Sequence, residues 1–183
     1  LLGKKRITVK LSPSLSVFIL YLGLKPNVKP KERVTIWSAS TYDIDKFFPD
    51  SEVKFIKNNF SLFMITFPSL HDLSIKNKNT MAVFSLAPYG TKSFWNKKRG
   101  DLKKKLLSKV KKLTQLKEND IKLIFSATPH TLKRYTMNHS GAICGWSSDL
   151  KNSLKTPISQ KTEIDGLFIA GHWATVGIGG KGI

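Results

Sequence analysis

The sequence has only one cysteine, Cys144, in 183 residues. A single cysteine excludes an internal disulfide, and we expect a reducing, intracellular compartment, either cytoplasmic or peripheral to a membrane. It also excludes a site made of several thiolates. The histidines share no spacing typical of metal ligands, so we predict no metal site. They are His71, His130, His139 and His172.

Long apolar runs and hydrolase motifs are missing as well. The longest apolar run covers residues 17–22, which is the length of a strand and far below the roughly 18 residues of a membrane span. No serine stands in a G-x-S-x-G motif. Asp43 and Asp45 are separated by one residue, but a solvated turn explains them better than a catalytic pair. The sequence therefore gives no support to hydrolysis or metal catalysis.

Acidic residues are few, and arginine is scarce among the basic ones. There are 31 Lys and Arg against 12 Asp and Glu, which gives a formal net charge of +19. Only four residues are arginine. A surface that binds phosphates or bases would be expected to contain more arginine, because its planar guanidinium group pairs bidentately with phosphate and guanine. Abundant lysine, isoleucine and asparagine are typical of AT-rich coding sequence, which is the interpretation we favour. Peripheral membrane association is the second interpretation, and nucleic-acid binding is the less expected third.

Runs of β-branched and aromatic residues predict strands, and one long periodic segment predicts a helix. The helix is expected over 97–116, where Leu102, Leu106, Val110 and Leu113 make one apolar stripe and lysines fill the other faces. We expect it to dock on a sheet with a solvated outer face; a membrane-binding or partner-binding helix is the alternative. The pattern indicates an α+β fold, mainly an antiparallel sheet with packed helices. Strands are predicted at 14–24, 34–38, 62–67, 81–86, 121–126 and 166–171, with a short helix within 41–48.

The glycine-rich end, residues 177–182, formally matches G-x-G-x-x-G. It does not fit a Rossmann fingerprint, because five residues separate it from the predicted strand and no second strand follows. Successive glycines still allow close backbone approach to a pyrophosphate or a flavin edge; a plain turn is the alternative. Because Leu1 opens the sequence and glycines close it, we expect a fragment cut at both ends.

Two ordered blocks in the last third carry a resemblance to a known family. The first reads G-A-I-C-G-W at 141–146, and the second reads G-L-F-I-A-G-H-W-A-T at 166–175, with T-P-I between them at 156–158. They are similar to the C-terminal signature of carotenoid isomerases, phytoene desaturases and retinol saturases. Upstream, Y-L-G-L at 21–24 and A-T-P at 127–129 fall in the expected order, although only 139–183 is specific.

The resemblance implies an FAD-dependent oxidoreductase or isomerase. Residues 1–160 would be part of a substrate-binding domain, and 161–183 would be a strand-containing C-terminal segment that returns to a Rossmann FAD-binding domain absent from this sequence. The substrate implied is a long apolar molecule, a carotenoid-like or polyene-like lipid that is desaturated, isomerised or saturated. The flavin would perform the redox chemistry, so no catalytic side chain is assigned. The residues implied to lie near FAD are Gly171, His172, Trp173 and Thr175, with backbone contacts from Gly177 and Gly179.

Three positions depart from the family pattern. Val176 replaces a proline, Ile178 replaces a glycine and Cys144 replaces a tyrosine. Because no dinucleotide-binding fingerprint precedes the substrate region, we expect the chain to bind FAD and act only as part of its full-length parent. Two alternatives remain: a non-enzymatic basic module that binds membranes or nucleic acid, and a related flavin amine oxidase. The G-A-I-x-G-W block favours the desaturase and isomerase type over the amine oxidase.

Overall fold

A computed structural model describes residues 11–28, 35–71, 79–149, 160–162 and 164–174. By its internal contacts the chain divides into two compact units. The central unit is Leu15–Gly141, and the terminal unit combines Leu1–Ser14 with Ala142–Ile183. This division concerns compactness alone, and the functional boundary expected at residue 160 stays a prediction.

The central unit holds five strands and four α-helices in its described part. Three short 3-10 helices, at Ile44–Phe47, Glu118–Asp120 and His139–Gly141, complete the regular structure. The strands are β1 (Ser16–Leu24), β2 (Ile36–Ala39), β3 (Leu62–Thr66), β4 (Asn79–Ala87) and β5 (Ile121–Ala127). The helices are α1 (Glu52–Asn58), α2 (Pro68–His71), α3 (Lys92–Thr114) and α4 (Pro129–Thr136).

The strands form one antiparallel sheet in the order β2-β3-β4-β1-β5. Strand β1 lies between β4 and β5, and its Ile19 stands opposite both Phe84 and Ala127. Because β1 has a neighbour on each side and is covered on both faces, residues 16–20 are buried without alternation. The α+β class with a mainly antiparallel sheet is therefore confirmed.

Helix α3 covers one face of the sheet. Its buried residues, Trp95, Leu102, Leu106 and Val110, join a core cluster with Phe18, Leu20 and Val83 of the sheet and with Phe55 of α1. The indole of Trp95 stacks on the Phe18 ring at 5.7 Å and donates a hydrogen bond from Nε1 to the carbonyl of Tyr89 at 2.7 Å. The aromatic ring thus fills the core while its one polar atom keeps a partner.

The start of α3 lies five residues before the predicted one. Thr91 caps the helix, because its hydroxyl oxygen accepts a hydrogen bond from the backbone N–H of Phe94 at 3.1 Å. Leucine periodicity alone could not locate this start, since the first buried residue of the helix is an isolated tryptophan. At the other end Gln115 adopts the left-handed conformation, with φ of 59°, and Leu113 is 46% exposed.

Three α-helices of the central unit were not predicted: the four-residue α2, which follows β3, and the longer α1 and α4. Helix α1 begins after Ser51, whose hydroxyl oxygen accepts from the N–H of Lys54 at 3.3 Å, and α4 begins after Thr128 with Pro129 in its first turn. Both are eight residues or shorter, so their apolar spacing is too short to show a period. Their capping residues were the signal available in the sequence.

The strand predicted over 166–171 is not present in the structure. Within the described residues 160–174, the one β pairing is an isolated bridge between Lys161 and Phe168. A strand needs a neighbouring backbone to pair its N–H and C=O groups, and only this single bridge supplies one in the described part. Residues 166–171 have the apolar composition of a strand, but composition alone does not supply a backbone for them to pair with.

We predict that the core under α3 is the main source of stability of the central unit. Leu106→Ala should lower the free energy of unfolding by about 2–5 kcal/mol, because Leu106 is fully buried and its removal leaves a cavity. Leu113→Ala, in the same apolar row but half exposed, is the matched control and should cost clearly less. Urea denaturation of both variants measures the difference, and equal losses would contradict this account of the core.

Candidate functional site

The two sequence blocks meet within the terminal unit, at Gly145 and His172. Gly145 has a φ of +69°, and a Cβ atom placed on it would lie 1.9 Å from the carbonyl oxygen of His172. Van der Waals repulsion forbids such a distance, so only glycine allows the two backbones to approach this closely. The contact with His172 of the second block therefore explains why the second glycine of the G-A-I-C-G-W block, Gly145, must be glycine.

The two tryptophans next to these residues join the blocks a second time. The Nε1–H of Trp146 donates a hydrogen bond to the carbonyl oxygen of Trp173 at 2.8 Å, and the two rings meet edge to face with centroids 4.7 Å apart. His172 lies against the Trp173 ring at 5.3 Å. Edge-to-face packing suits the ring quadrupoles, and the hydrogen bond fixes the orientation of the Trp146 indole. The result is a cluster of three rings, Trp146, His172 and Trp173, which we call the aromatic cluster.

The segment 12–14 supports the first block from the far end of the sequence. The backbone N–H of Ser14 donates to the carbonyl of Gly145 at 2.8 Å, and that of Ser147 donates to the carbonyl of Ser12 at 2.8 Å. The Ser14 hydroxyl oxygen accepts from the N–H of Cys144 at 3.0 Å. Pro13 and Trp146 form the bridge between the two segments. Sequence reasoning missed this support, because a short L-S-P-S stretch carries no signal for a partner so distant along the chain.

The predicted flavin-site residues are described in part. Gly171, His172 and Trp173 lie in one turn, closed by a hydrogen bond from the N–H of Ala174 to the carbonyl of Gly171 at 3.1 Å. Gly171 is exposed, has a φ of +103°, and a Cβ placed on it would meet no heavy atom of the described chain within 4 Å. The rings of His172 and Trp173 are half-buried. Thr175, Gly177 and Gly179 lie outside the described residues.

A short loop before this turn presents apolar side chains to solvent. The N–H of Ile169 donates to the carbonyl of Gln160 at 2.8 Å, and the Thr162 hydroxyl donates to the carbonyl of Leu167 at 2.8 Å. These bonds hold Leu167 and Phe168 at the surface, where they are 46% and 65% exposed. Hydrogen bonds to backbone carbonyls hold the loop together, while its exposed side chains Leu167 and Phe168 are apolar.

A second candidate surface lies in the central unit, on the sheet face opposite α3. Paired positions across the five strands share this face, because directly opposite residues of antiparallel strands point to the same side. Helix α4 covers one end, where Leu132 packs with Val17, Ile19 and Ala127. Beyond α4 the face carries partly or largely exposed apolar side chains, and we call this region the open face. It comprises Tyr21, Trp37, Met64, Phe84, Leu123 and Phe125.

The open face exposes more large apolar side chains than a sheet face in contact with water usually does. Trp37 is 66% exposed, Phe125 62% and Leu123 58%, and Tyr21 stands directly opposite Phe125. Contiguous exposed apolar residues of this kind usually mark a binding surface. The arrangement is suited to a long apolar ligand that crosses several strands. The resemblance implies a substrate-binding domain over residues 1–160, but the sequence does not show which side chains of its strands a helix covers.

No protein-family model and no curated protein matches the chain. Among the described residues, no helix combines the length and apolarity that a membrane crossing requires. The described part of the chain also groups no three His, Cys, Asp or Glu side chains within reach of one metal ion.

We predict that the junction of the two blocks depends on the absence of a side chain at Gly145. Gly145→Ala should destabilise the terminal unit by about 2 kcal/mol or more, because the added Cβ collides with the His172 carbonyl and the positive φ is strained for alanine. Gly166→Ala is the control, since Gly166 also has a positive φ, +75°, but an open surrounding in the described chain. Limited proteolysis and urea denaturation measure both variants. Equal effects would show that backbone strain alone, and not the close approach, decides stability there.

Proposed function

We propose that the chain is part of an FAD-dependent oxidoreductase or isomerase that acts on a carotenoid-like or polyene-like lipid. The observation that carries the proposal is the junction of the two family-like blocks. Gly145 and Trp146 of the first block contact His172 and Trp173 of the second through a carbonyl contact, a hydrogen bond and ring packing. Blocks that resemble one family signature in sequence order also meet in space, which is expected if they build a single site.

The residues described in the turn fit the edge of a planar ring system. Gly171 offers an exposed backbone, no described atom lies within 4 Å of where its side chain would stand, and the half-buried rings of His172 and Trp173 adjoin it. These three residues would hold the flavin edge, together with Thr175, Gly177 and Gly179. Bound FAD would supply hydride or electron transfer to a conjugated double-bond system. The chain would supply positioning: the aromatic cluster fixes the turn, and the exposed glycine admits close approach.

The open face supports the substrate class. A polyene is long, rigid and apolar, and it gains affinity mainly from apolar surface removed from water. The side chains of the open face extend across the sheet from Trp37 on β2 to Leu123 and Phe125 on β5. Aromatic side chains among them suit a flat conjugated chain. A polar small substrate such as an amine would gain little from this surface, so the open face favours the lipid-active enzymes over an amine oxidase.

The flavin assignment is tested with the polypeptide encoded when translation extends upstream of Leu1 in the same frame. That polypeptide should purify yellow with about one FAD per chain, whereas the present chain with added FAD should stay colourless. Within it, Gly171→Ala should lower the FAD content, because a methyl group would occupy the space reserved for the ring. Gly166→Ala, which introduces similar backbone strain in an equally open place, should keep the FAD. A colourless extended polypeptide, or equal FAD content in the two variants, would contradict the assignment.

The substrate assignment is tested on the present chain with a long polyene in detergent micelles. The double variant Leu123→Ser/Phe125→Ser should weaken polyene binding about tenfold or more, because the apolar contact area on β5 is lost. The matched control, Tyr42→Ser/Val53→Ser, removes an aromatic and an aliphatic side chain that are more exposed and lie away from the open face. Quenching of tryptophan fluorescence and the shift of the polyene spectrum measure binding. Equal weakening in both variants, or no binding by the unaltered chain, would overturn the proposal for this face.

A further inference from the structure

Helix α3 carries lysine pairs at a fixed interval. The pairs are 97/98, 104/105 and 111/112, so each recurs after seven residues. Seven residues correspond to two helical turns, and the pairs therefore lie one behind another about 10 Å apart. We call these six residues the lysine stripe. It extends for about 22 Å along the helix.

The stripe lies on the side of α3 that faces away from the sheet. The opposite side is fixed by the buried residues Leu102, Leu106 and Val110. Five of the six lysines are exposed, and the sixth, Lys111, forms an ion pair with Glu118. One carboxylate, Asp101, stands between the first two pairs. The helix as a whole contains nine lysines and one arginine against this single acidic residue.

The arginine of α3 is not part of the stripe. Arg99 donates from Nε to the hydroxyl oxygen of Ser126 at 2.9 Å and from Nη2 to the Ser126 carbonyl at 2.7 Å. Its guanidinium is thus committed to β5, and the outward cations are all ammonium groups. Lysine ammonium acts as a strongly hydrated point charge, whereas recognition of guanine or bidentate phosphate uses the arginine fork. The stripe offers charge without directional recognition.

We propose that the lysine stripe docks this protein on the surface of an anionic lipid bilayer. A straight row of point charges meets a flat anionic surface at every pair simultaneously, whereas the phosphates of a nucleic-acid duplex curve away from it. The apolar side of α3 is already buried in the core, so the helix adsorbs through charge and does not insert its apolar side chains. This inference does not depend on flavin or substrate binding.

The stripe and the open face lie on opposite sides of the sheet in the central unit. Helix α3 packs on one face, and Tyr21, Leu123 and Phe125 belong to the other. Adsorption through the stripe therefore leaves the open face free to bind an apolar ligand. Membrane binding and polyene binding should then be independent of each other.

The test is co-sedimentation of the full chain with vesicles of phosphatidylcholine containing or lacking phosphatidylserine. The chain should bind only the anionic vesicles, and binding should weaken as salt screens the charges. Each lysine near an anionic surface contributes roughly fivefold to binding. The triple variant Lys98→Gln/Lys105→Gln/Lys112→Gln, which removes one lysine from each pair, should therefore bind roughly a hundredfold more weakly. Asp101→Asn should bind severalfold more tightly.

The matched control is Lys57→Gln/Lys122→Gln/Lys133→Gln, which removes the same charge from exposed positions outside α3. It should weaken vesicle binding far less than the stripe variant, and circular dichroism should show both variants folded. Equal weakening would overturn the proposal, because binding would then follow net charge alone. Tighter binding to a DNA duplex than to anionic vesicles at the same salt concentration would also overturn it, and would assign the stripe to nucleic acid.

Discussion

Helix α3 buries Trp95, Leu102, Leu106 and Val110 against strand β1, and the rest of the central unit is arranged around this contact. Strand β1 pairs on both edges, as β3 and β4 also do, and its residues 16–20 are buried without alternation, so it is covered on both faces. Once α3 occupies one face, the short helix α4 is the one described helix of the central unit that packs on the other face. The open face is thus a consequence of an unequal distribution of helices over one sheet.

The packing of α3 on the sheet also determines which way its lysine side chains point. A helix that turns one side to the core must turn the other to solvent, so its lysines collect on the outer side. The seven-residue interval keeps the pairs in line because it approximates two full turns. An exposed apolar face and a cationic helix face therefore lie on opposite sides of a single sheet, because α3 packs on one side of it.

The terminal unit is held by a different kind of constraint, which is close backbone approach. Gly145 lies where the carbonyl of His172 leaves no room for a Cβ, and the hydrogen bond from Trp146 to the Trp173 carbonyl locks the same junction. A contact of this type tolerates no side chain at the glycine, because van der Waals repulsion rises steeply over a few tenths of an ångström. That sensitivity makes the junction suited to positioning the adjoining turn at Gly171.

Much of the central fold was predictable from the sequence, and the physical reasons are plain. Apolar runs such as 62–67 and 121–126 and the leucine row from Leu102 to Val110 carry their periodicity locally, so strands and the long helix were found within a few residues of their bounds. Helices α1, α2 and α4 were missed because they are too short to show a period, and the predicted strand at 166–171 has a single described bridge, at Phe168, as its pairing. In the candidate site, the sequence pointed to Gly171, His172 and Trp173, but the partners from 12–14 carry no local signal.

By itself the sequence determined the class of fold, the apolar side of α3 and the excess of lysine, whereas the resemblance of two blocks to a flavoenzyme signature stays a prediction. Each of these is a property of residue types and their spacing along the chain. Only the tertiary structure decided that the blocks meet through Gly145 and His172, that segment 12–14 supports them, and that one face of the sheet stays open. The junction of the blocks joins residues 27 positions apart, and the contacts of segment 12–14 join residues about 130 apart. Such contacts depend on how backbones approach in space, and spacing along the chain does not encode that distance.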